Sequence, residues 1–150
     1  MRGDVLVVSP HCDDAVFACG CLLKSRPGSV VATIFVGRPA QGDPLTEWDR
    51  AAGFLPGDDV MAVRRAEDQA ALALVDAQPL WFDFRDAQYG ASPSAAGMVE
   101  ALHETILRLD AEEILAPMGL FHSDHVLAHE VAVELIHRHA RKSWTLYEDT

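Results

Sequence analysis

The sequence predicts an α/β fold in which a mostly parallel sheet of about five strands lies between two layers of helices. Two observations predict it. Short apolar runs alternate along the chain with longer stretches of helical periodicity, the order expected of parallel strands joined by crossover helices. The 150 residues, 49% apolar and 23% charged, suffice for one hydrophobic core. We therefore expect residues 1–150 to form a single three-layer α/β/α domain.

The predicted strands are short apolar runs bounded by polar or turn-forming residues. The first, at residues 5–8 (VLVV), is the clearest, because a continuous apolar run is typical of a strand buried on both faces. The same criteria predict the other four strands at residues 30–36, 80–84, 113–117 and 143–147.

Four helices are predicted between these strands. They cover residues 14–26, 59–76, 94–109 and 124–140. In the second helix the predicted apolar face consists of Val60, Val63, Ala66, Ala70 and Leu74. The segment at residues 37–58 is rich in Gly, Pro and Asp, and its length is typical of a lid or a rim beside a binding site.

The charge balance excludes two classes of partner. Twelve Lys and Arg residues against 23 Asp and Glu residues give a net charge of −11 at pH 7. Nucleic acid and anionic membranes would be repelled, so we expect neither as a partner.

No apolar run approaches the ~20 residues of a membrane span, and no secretory signal is visible, which predicts a cytoplasmic protein. The three cysteines, Cys12, Cys19 and Cys21, are interpreted as reduced thiols.

Polar clusters follow two of the predicted strands. Residues 11–14 (HCDD) come after the first strand, and residues 122–125 (HSDH) come after the fourth. Ligands of parallel sheets bind at the carboxyl ends of the strands. Three histidines and three aspartates are enough for a catalytic metal with three protein ligands and a general base. Taken singly, Asp14 could be a helix N-cap and either loop histidine a solvated residue; two clusters on equivalent loops favour a site.

Three short motifs resemble one known family. Residues 10–14 (PHCDD) resemble the P-H-x-D-D motif of the LmbE/PIG-L zinc-dependent de-N-acetylases, and residues 122–125 resemble their H-x-D-H motif. Residues 64–67 (RRAE) resemble the R-x-x-E start of a helix in that family. The resemblance spans most of the chain. It implies a Rossmann-like fold and a hydrolase that uses Zn²⁺ to remove an N-acetyl group from an amino sugar or glycoconjugate.

The resemblance also implies roles for individual residues. The zinc ligands would be His11, Asp14 and His125. Asp13 would be the general base that deprotonates the attacking water. His122 would stabilise the tetrahedral oxyanion and donate a proton to the leaving amine, with Asp124 orienting its ring. Arg64 would contact the substrate, although an arginine at that position could equally be a solvated residue or pair with a neighbouring acid.

Some residues depart from the family pattern or leave alternatives open. Cys12 replaces a proline and Ala15 a glutamate, and only one of two usual glycines is present, at Gly20. Cys12 could itself be a thiolate ligand or nucleophile, but its acidic neighbours disfavour the thiolate. His129 lies one helical turn after His125 and is interpreted as a packed residue or a contact of the ligands. Three further histidines are expected on the surface: His103, His137 and His139.

The function has two alternatives. The first is an amidase acting on a non-sugar amide or a thiol conjugate, and the second is a non-catalytic relative that binds zinc or sugar. The chain ends soon after the fifth predicted strand, so we expect it to lack the C-terminal extension that is usual in the family. A homo-oligomer partner or an open cleft would then replace the missing wall. Trp48 and Phe54 are expected to shape specificity, because aromatic faces suit sugar rings.

Overall fold

A computed structural model describes residues 4–40, 43–90 and 93–149 of the chain. Its five strands are β1 (Val5–Ser9), β2 (Val30–Thr33), β3 (Gln78–Trp81), β4 (Glu113–Pro117) and β5 (Ser143–Tyr147). Its five α-helices are α1 (Asp14–Ser25), α2 (Glu47–Ala51), α3 (Val60–Leu74), α4 (Ala95–Leu109) and α5 (Ser123–Arg138). A short 3₁₀ helix covers Ala87–Tyr89.

All five strands are parallel and form one sheet in the order β3-β2-β1-β4-β5. The register pairs Val7 of β1 with Val31 of β2 on one side and with Leu115 of β4 on the other. Strand β1 is therefore central, and the chain changes direction across the sheet between β1 and β4. In folds of this kind, the crevice at that switch point is where ligands bind.

Side chains of β1 alternate between two cores, because successive residues of a strand point to opposite faces. Leu6 and Val8 pack with α4 and α5 in one core. Val5 and Val7 pack with α1 and α3 in the other. The helices thus form the two layers that the alternation of strands and helices predicts, and the α/β expectation is confirmed.

Strand β3 and the start of α3 differ from the sequence-based expectation. Strand β3 lies at residues 78–81 and not at 80–84, and it includes Pro79 at the edge of the sheet, where a missing N–H group is tolerated. Strand β2 ends at Thr33, three residues earlier than expected. The predicted apolar face of α3 is confirmed only at Val60: the helix also buries Met61, Asp68 and Leu72, and it leaves Leu74 exposed.

The segment at residues 37–58 is not entirely a loop. Helix α2 lies within it, begun by Thr46, whose side chain accepts a hydrogen bond from the N–H of Asp49 at 3.0 Å. Residues 41 and 42 of this segment lie outside the described part of the chain. Among the described residues, no helix is both long enough and apolar enough to cross a membrane.

Candidate active site

The two polar clusters meet at the carboxyl edge of the sheet. Residues 10–13 link β1 to α1, which begins at Asp14, and residues 118–122 link β4 to α5. Because β1 and β4 are neighbours, the loops that follow them lie side by side. Side chains separated by about 110 residues in the sequence, such as His11 and His125, are thereby in contact, with 3.3 Å between His11 Nδ1 and His125 Nε2.

His11, Asp14 and His125 form a group that could hold a metal ion. Asp14 Oδ2 lies 3.5 Å from His11 Nδ1 and 3.3 Å from His125 Nε2, so the three ligand-type atoms form a nearly equilateral triangle. The structure thus brings together the three residues that the resemblance implied as ligands. A second group of ligand-type atoms consists of His11, His122 and Asp124. It shares His11 with the first group, so the two are alternatives and not independent sites.

Carboxylates also lie at the other ring nitrogens of both imidazoles. His11 Nε2 is 3.2 Å from Asp124 Oδ2 and 3.7 Å from Asp86 Oδ2. His125 Nδ1 is 2.7 Å from Asp149 Oδ2. All three of these acids are buried. Such contacts orient imidazole ligands and fix which nitrogen carries the proton.

The electrostatics of the group follow from these contacts. Burial lowers the pKa of His11, but hydrogen bonds to Asp124 and Asp14 outweigh that effect and raise the pKa to about 9. Burial would raise the pKa of Asp14, yet hydrogen bonds from His11 and His125 hold it well below its usual range. Without a cation, the group therefore binds protons between its imidazoles and carboxylates. A metal ion would replace those protons, so its binding releases them.

Asp13 and His122 lie at the exposed side of the same group. Asp13 precedes α1, and within the described part of the chain its carboxylate makes no capping hydrogen bond with that helix. His122 precedes α5, and its Nδ1 accepts a hydrogen bond from the N–H of Asp124 at 3.2 Å. In the neutral ring, the proton is therefore on Nε2. Both residues line the cleft, where they can reach a bound molecule.

Asp124 is placed differently from the role that the resemblance implied. Its main-chain N–H contacts the His122 ring, as described above. Its carboxylate instead contacts His11 and accepts the N–H of Ala87 at 3.0 Å. Hydrogen bonds to these two groups lower the pKa of Asp124 against the opposing effect of burial. The side chain of Asp124 thus orients His11, and the ring of His122 is held by main chain.

The cleft has a volume of about 830 Å³ and is walled by α1, α3 and α2. Trp48 of α2 is 69% exposed and lines it, as does the exposed Phe17 of α1. Glu67 and Asp68 of α3 add negative charge to the wall. The segment at residues 37–58 therefore contributes an aromatic side chain to the rim of the cleft.

Arg64 lines the cleft, but its guanidinium is already paired. Its Nη2 donates to Asp49 Oδ1 at 2.8 Å, and Asp49 is fully buried. The same carboxylate accepts the hydroxyl of Tyr89 at 2.9 Å. The guanidinium also lies 5.9 Å from the centre of the Phe54 ring. In this structure Arg64 holds α2 against α3, and its contact with a substrate stays a prediction.

The three cysteines and the other histidines lie outside the group of His11, Asp14 and His125. All three cysteines lie in the described part of the chain and are free thiols. Burial, with the nearby charges of Asp68 and Asp13, raises the pKa of Cys12 to about 12, which excludes a resting thiolate. His129 donates from Nδ1 to the carbonyl of Pro117 at 3.0 Å and packs against Gly119. His137 is exposed as expected.

His103 and His139 are only partly exposed, unlike His137. Both rings are half-buried, and they are joined by a hydrogen bond of 2.8 Å between Nδ1 and Nε2. Helix α4 and the end of α5 pack together, which brings the two rings into contact.

Two site residues were missed by sequence reasoning. Asp86 follows β3 and Asp149 follows β5, and both lie beside an imidazole of the group. Both come after strands, so the rule that pointed to the first two clusters points to them as well. Neither forms a motif with its sequence neighbours, and only the folded chain brings them to His11 and His125.

The protein resembles known deacetylases in sequence and in structure. The family described as PIG-L, GlcNAc-PI de-N-acetylase, matches residues 6–136. A 2'-N-acetylparomamine deacetylase of Streptomyces fradiae is 34% identical over 150 aligned positions, which cover 85% of this chain and 50% of that protein. The A40926 pseudoaglycone deacetylase Dbv21 superposes with a TM-score of 0.85 at 26% identity, covering 99% of this chain and 64% of that one.

A deacetylase triple mutant from the teicoplanin biosynthetic pathway gives the same values: TM-score 0.85, 26% identity, and 99% and 64% coverage. The chain thus spans about half the length of the curated relative and 64% of each of these structures.

Proposed function

Because this chain belongs to the PIG-L, or GlcNAc-PI de-N-acetylase, family, we propose that it is the catalytic core of a zinc-dependent hydrolase that removes an N-acetyl group from an amino sugar or glycoconjugate. The observation that carries the proposal is the triangle formed by His11, Asp14 and His125 at the base of an open cleft. Two imidazoles and one carboxylate are typical of a catalytic zinc site, in which a fourth position stays open.

The spacing of the three atoms suits zinc. Tetrahedral zinc with nitrogen and oxygen ligands at about 2.0–2.1 Å separates each pair of ligand atoms by about 3.3–3.4 Å. The observed separations of 3.3, 3.3 and 3.5 Å agree with that value. When bound, zinc lowers the pKa of a water molecule and polarises the amide carbonyl.

The chain's own residues would carry the proton transfers. The carboxylate of Asp13 accepts a proton from the attacking water as the water oxygen bonds to the amide carbon. His122 donates a hydrogen bond from Nε2 to the carbonyl oxygen as negative charge develops there. The C–N bond then breaks, the proton that Asp13 took from the water passes to the leaving nitrogen, and acetic acid and a free amine are the products.

The negative charge of the cleft wall favours a neutral or cationic substrate. Its wall includes the carboxylates of Glu67 and Asp68, while the charge of Arg64 is satisfied by Asp49. An anionic, phosphorylated sugar would meet repulsion there. The exposed indole of Trp48 offers a flat apolar surface to a sugar ring.

Replacing Asp13 tests the proposal. D13N should retain one zinc per chain, because Asp13 is not among the three ligands, but should lose about 10²–10⁴-fold in the rate of amine release. The assay uses N-acetylglucosamine derivatives beside simple acetamides, and metal content is measured by elemental analysis. D83N is the matched control, since Asp83 is exposed and lies outside the cleft.

Three results would contradict parts of the proposal. Full activity in D13N would exclude Asp13 as the base. Hydrolysis of simple acetamides in preference to sugars would favour the general amidase. Stoichiometric zinc without hydrolysis of any amide would favour a binding protein.

A further inference from the structure

We propose that Asp149 is a positioning residue that sets the proton on the ring of His125 and anchors the loop at residues 118–121. The inference rests on the proposed function, since it assigns Asp149 a part in presenting His125 to the metal. Asp149 follows β5, the last strand along the chain, and belongs to neither of the two motifs.

Asp149 contacts both the loop at residues 118–121 and His125 in the first turn of α5. Its side chain is buried, with 1% of its surface exposed. Its Oδ1 accepts the main-chain N–H of Gly119 at 3.0 Å, and both of its oxygens lie 3.4 Å from the N–H nitrogen of Leu120. Its Oδ2 lies 2.7 Å from His125 Nδ1. One carboxylate thus contacts the loop before α5 and the imidazole in its first turn.

The contact with His125 decides which ring nitrogen is free. His125 Nδ1 is buried and, among the described residues, has no partner with good hydrogen-bond geometry, so Asp149 Oδ2 is the acceptor it has within reach. A carboxylate accepts and cannot donate. It therefore favours the ring form with hydrogen on Nδ1, which leaves the lone pair of Nε2 directed toward His11 and Asp14.

The backbone around the loop explains why the carboxylate is needed there. Gly119 has φ of +79°, and a Cβ atom at this position would lie 2.6 Å from the Cβ of His129. The loop therefore follows a path that only glycine permits, and its N–H groups turn inward. The N–H of Met118 donates to the carbonyl of Tyr147 at 2.9 Å, which holds the end of β5 beside the loop. Asp149 follows two residues later and satisfies the inward N–H groups.

The variant D149N separates positioning from simple support. Asparagine keeps an oxygen for the N–H groups of Gly119 and Leu120 but turns its NH₂ group toward His125 Nδ1. The preferred proton then moves to Nε2, the atom that should face the metal. We expect zinc affinity, measured by competition with a chelator, to fall about 10–100-fold. We also expect the ¹⁵N signals of the neutral His125 ring in metal-free protein to change from the Nδ1–H to the Nε2–H pattern.

The control is E148Q, which removes the same charge from the exposed neighbouring residue. It should retain wild-type zinc affinity and the Nδ1–H pattern. Wild-type zinc affinity in D149N would overturn the proposal, as would an Nε2–H pattern in the unmutated protein. The second observation needs no variant, so it decides the matter even if D149N does not fold.

The experiment also separates this inference from the proposed function. If the unmutated protein binds zinc but hydrolyses no amide, the function fails while the affinity comparison still tests Asp149. If the unmutated protein binds no zinc, the metal site fails, and the ring signals of the metal-free protein still decide whether Asp149 sets the proton position.

Discussion

Each of the two imidazoles in the metal group has a carboxylate at its second nitrogen. Asp124 contacts His11 at 3.2 Å, and Asp149 contacts His125 at 2.7 Å. These acids come from different parts of the chain, yet they perform the same task on the two rings. A carboxylate at the second nitrogen restricts rotation of the ring before a metal ion binds. Less conformational entropy is then lost on metal binding.

Asp68 is a buried acid of the cleft with no assigned role in the reaction. Its Oδ2 accepts the indole N–H of Trp81 at 2.7 Å, and its Oδ1 is buried without a hydrogen-bond partner among the described residues. Burial raises the pKa of Asp68 to about 6, against the opposing effect of the Trp81 hydrogen bond. The native protein therefore holds this proton to a higher pH than the unfolded chain does.

The sign of the resulting pH dependence can be worked out. Between the unfolded pKa of 3.8 and the native value of about 6, the native state binds more protons, so the free energy of unfolding falls as pH rises. D68N does not titrate and still accepts from Trp81. It should be more stable than the wild type by about 3 kcal/mol at pH 7.5, and by about half as much at pH 5, in urea unfolding. E67Q, on the exposed neighbour, should show no such change; an equal gain for D68N at both pH values would refute the assignment.

Helix α2 depends on one buried side chain. Asp49 pairs with Arg64 at 2.8 Å and accepts the hydroxyl of Tyr89 at 2.9 Å. A helix of five residues is too short to be stable alone, so these tertiary contacts keep it in place. Because α2 carries Trp48, the position of the aromatic rim also depends on Asp49.

D49N should therefore loosen the rim. The substitution leaves the half-buried guanidinium of Arg64 without its counter-charge, which costs about 3 kcal/mol when a buried pair is broken. We expect a lower unfolding free energy and faster proteolysis within residues 43–58. E47Q, on the exposed side of the same helix, is the matched control. Unchanged proteolysis in D49N would show that other contacts hold α2.

The elements differ in how well the sequence predicts them. Residues 5–8 and 113–117 are predicted correctly because, apart from Glu113, their side chains are apolar and buried on both faces of the sheet. Helix α2 is not predicted, since five residues show no periodicity and the contacts of Asp49 are tertiary. The wrong face of α3 has a physical cause: its inward side includes the polar Asp68, which faces the cleft and Trp81.

The candidate site was partly predictable for similar reasons. The two motifs place His11 and His125 on loops after strands, and sheet order brings them together. Asp86 and Asp149 stand alone in the sequence, so only their contacts with the imidazoles distinguish them from the other acids.

The protein as a whole carries a large excess of negative charge, −11 at pH 7. Part of that excess is concentrated in the cleft, where Asp13, Asp14, Glu67, Asp68 and Asp86 all line the wall. Like charges in one cleft disfavour the compact state, and a bound divalent cation offsets them. Metal binding should therefore stabilise the entire domain.

Removal of zinc tests this coupling. At free zinc 100-fold above Kd, binding adds about 2.7 kcal/mol to the unfolding free energy. For a domain of this size, that corresponds to about 5–11 °C in Tm. Calorimetry with and without a chelator should show this difference in the wild type, and H11Q should abolish it. Equal Tm values for the two wild-type samples would contradict a zinc site that forms only in the folded state.

The pairing of β1 with β4 also determines the stage of folding at which the site can form. Two members of the metal group are among the first 14 residues of the chain, and the third is residue 125. During synthesis, the early pair emerges long before its partner and cannot hold an ion firmly by itself. Closing the intervening loop carries an entropic cost, which pairing of the strands offsets before the three ligand atoms can meet. A metal ion that binds this group would therefore be loaded late, after β1 and β4 have paired.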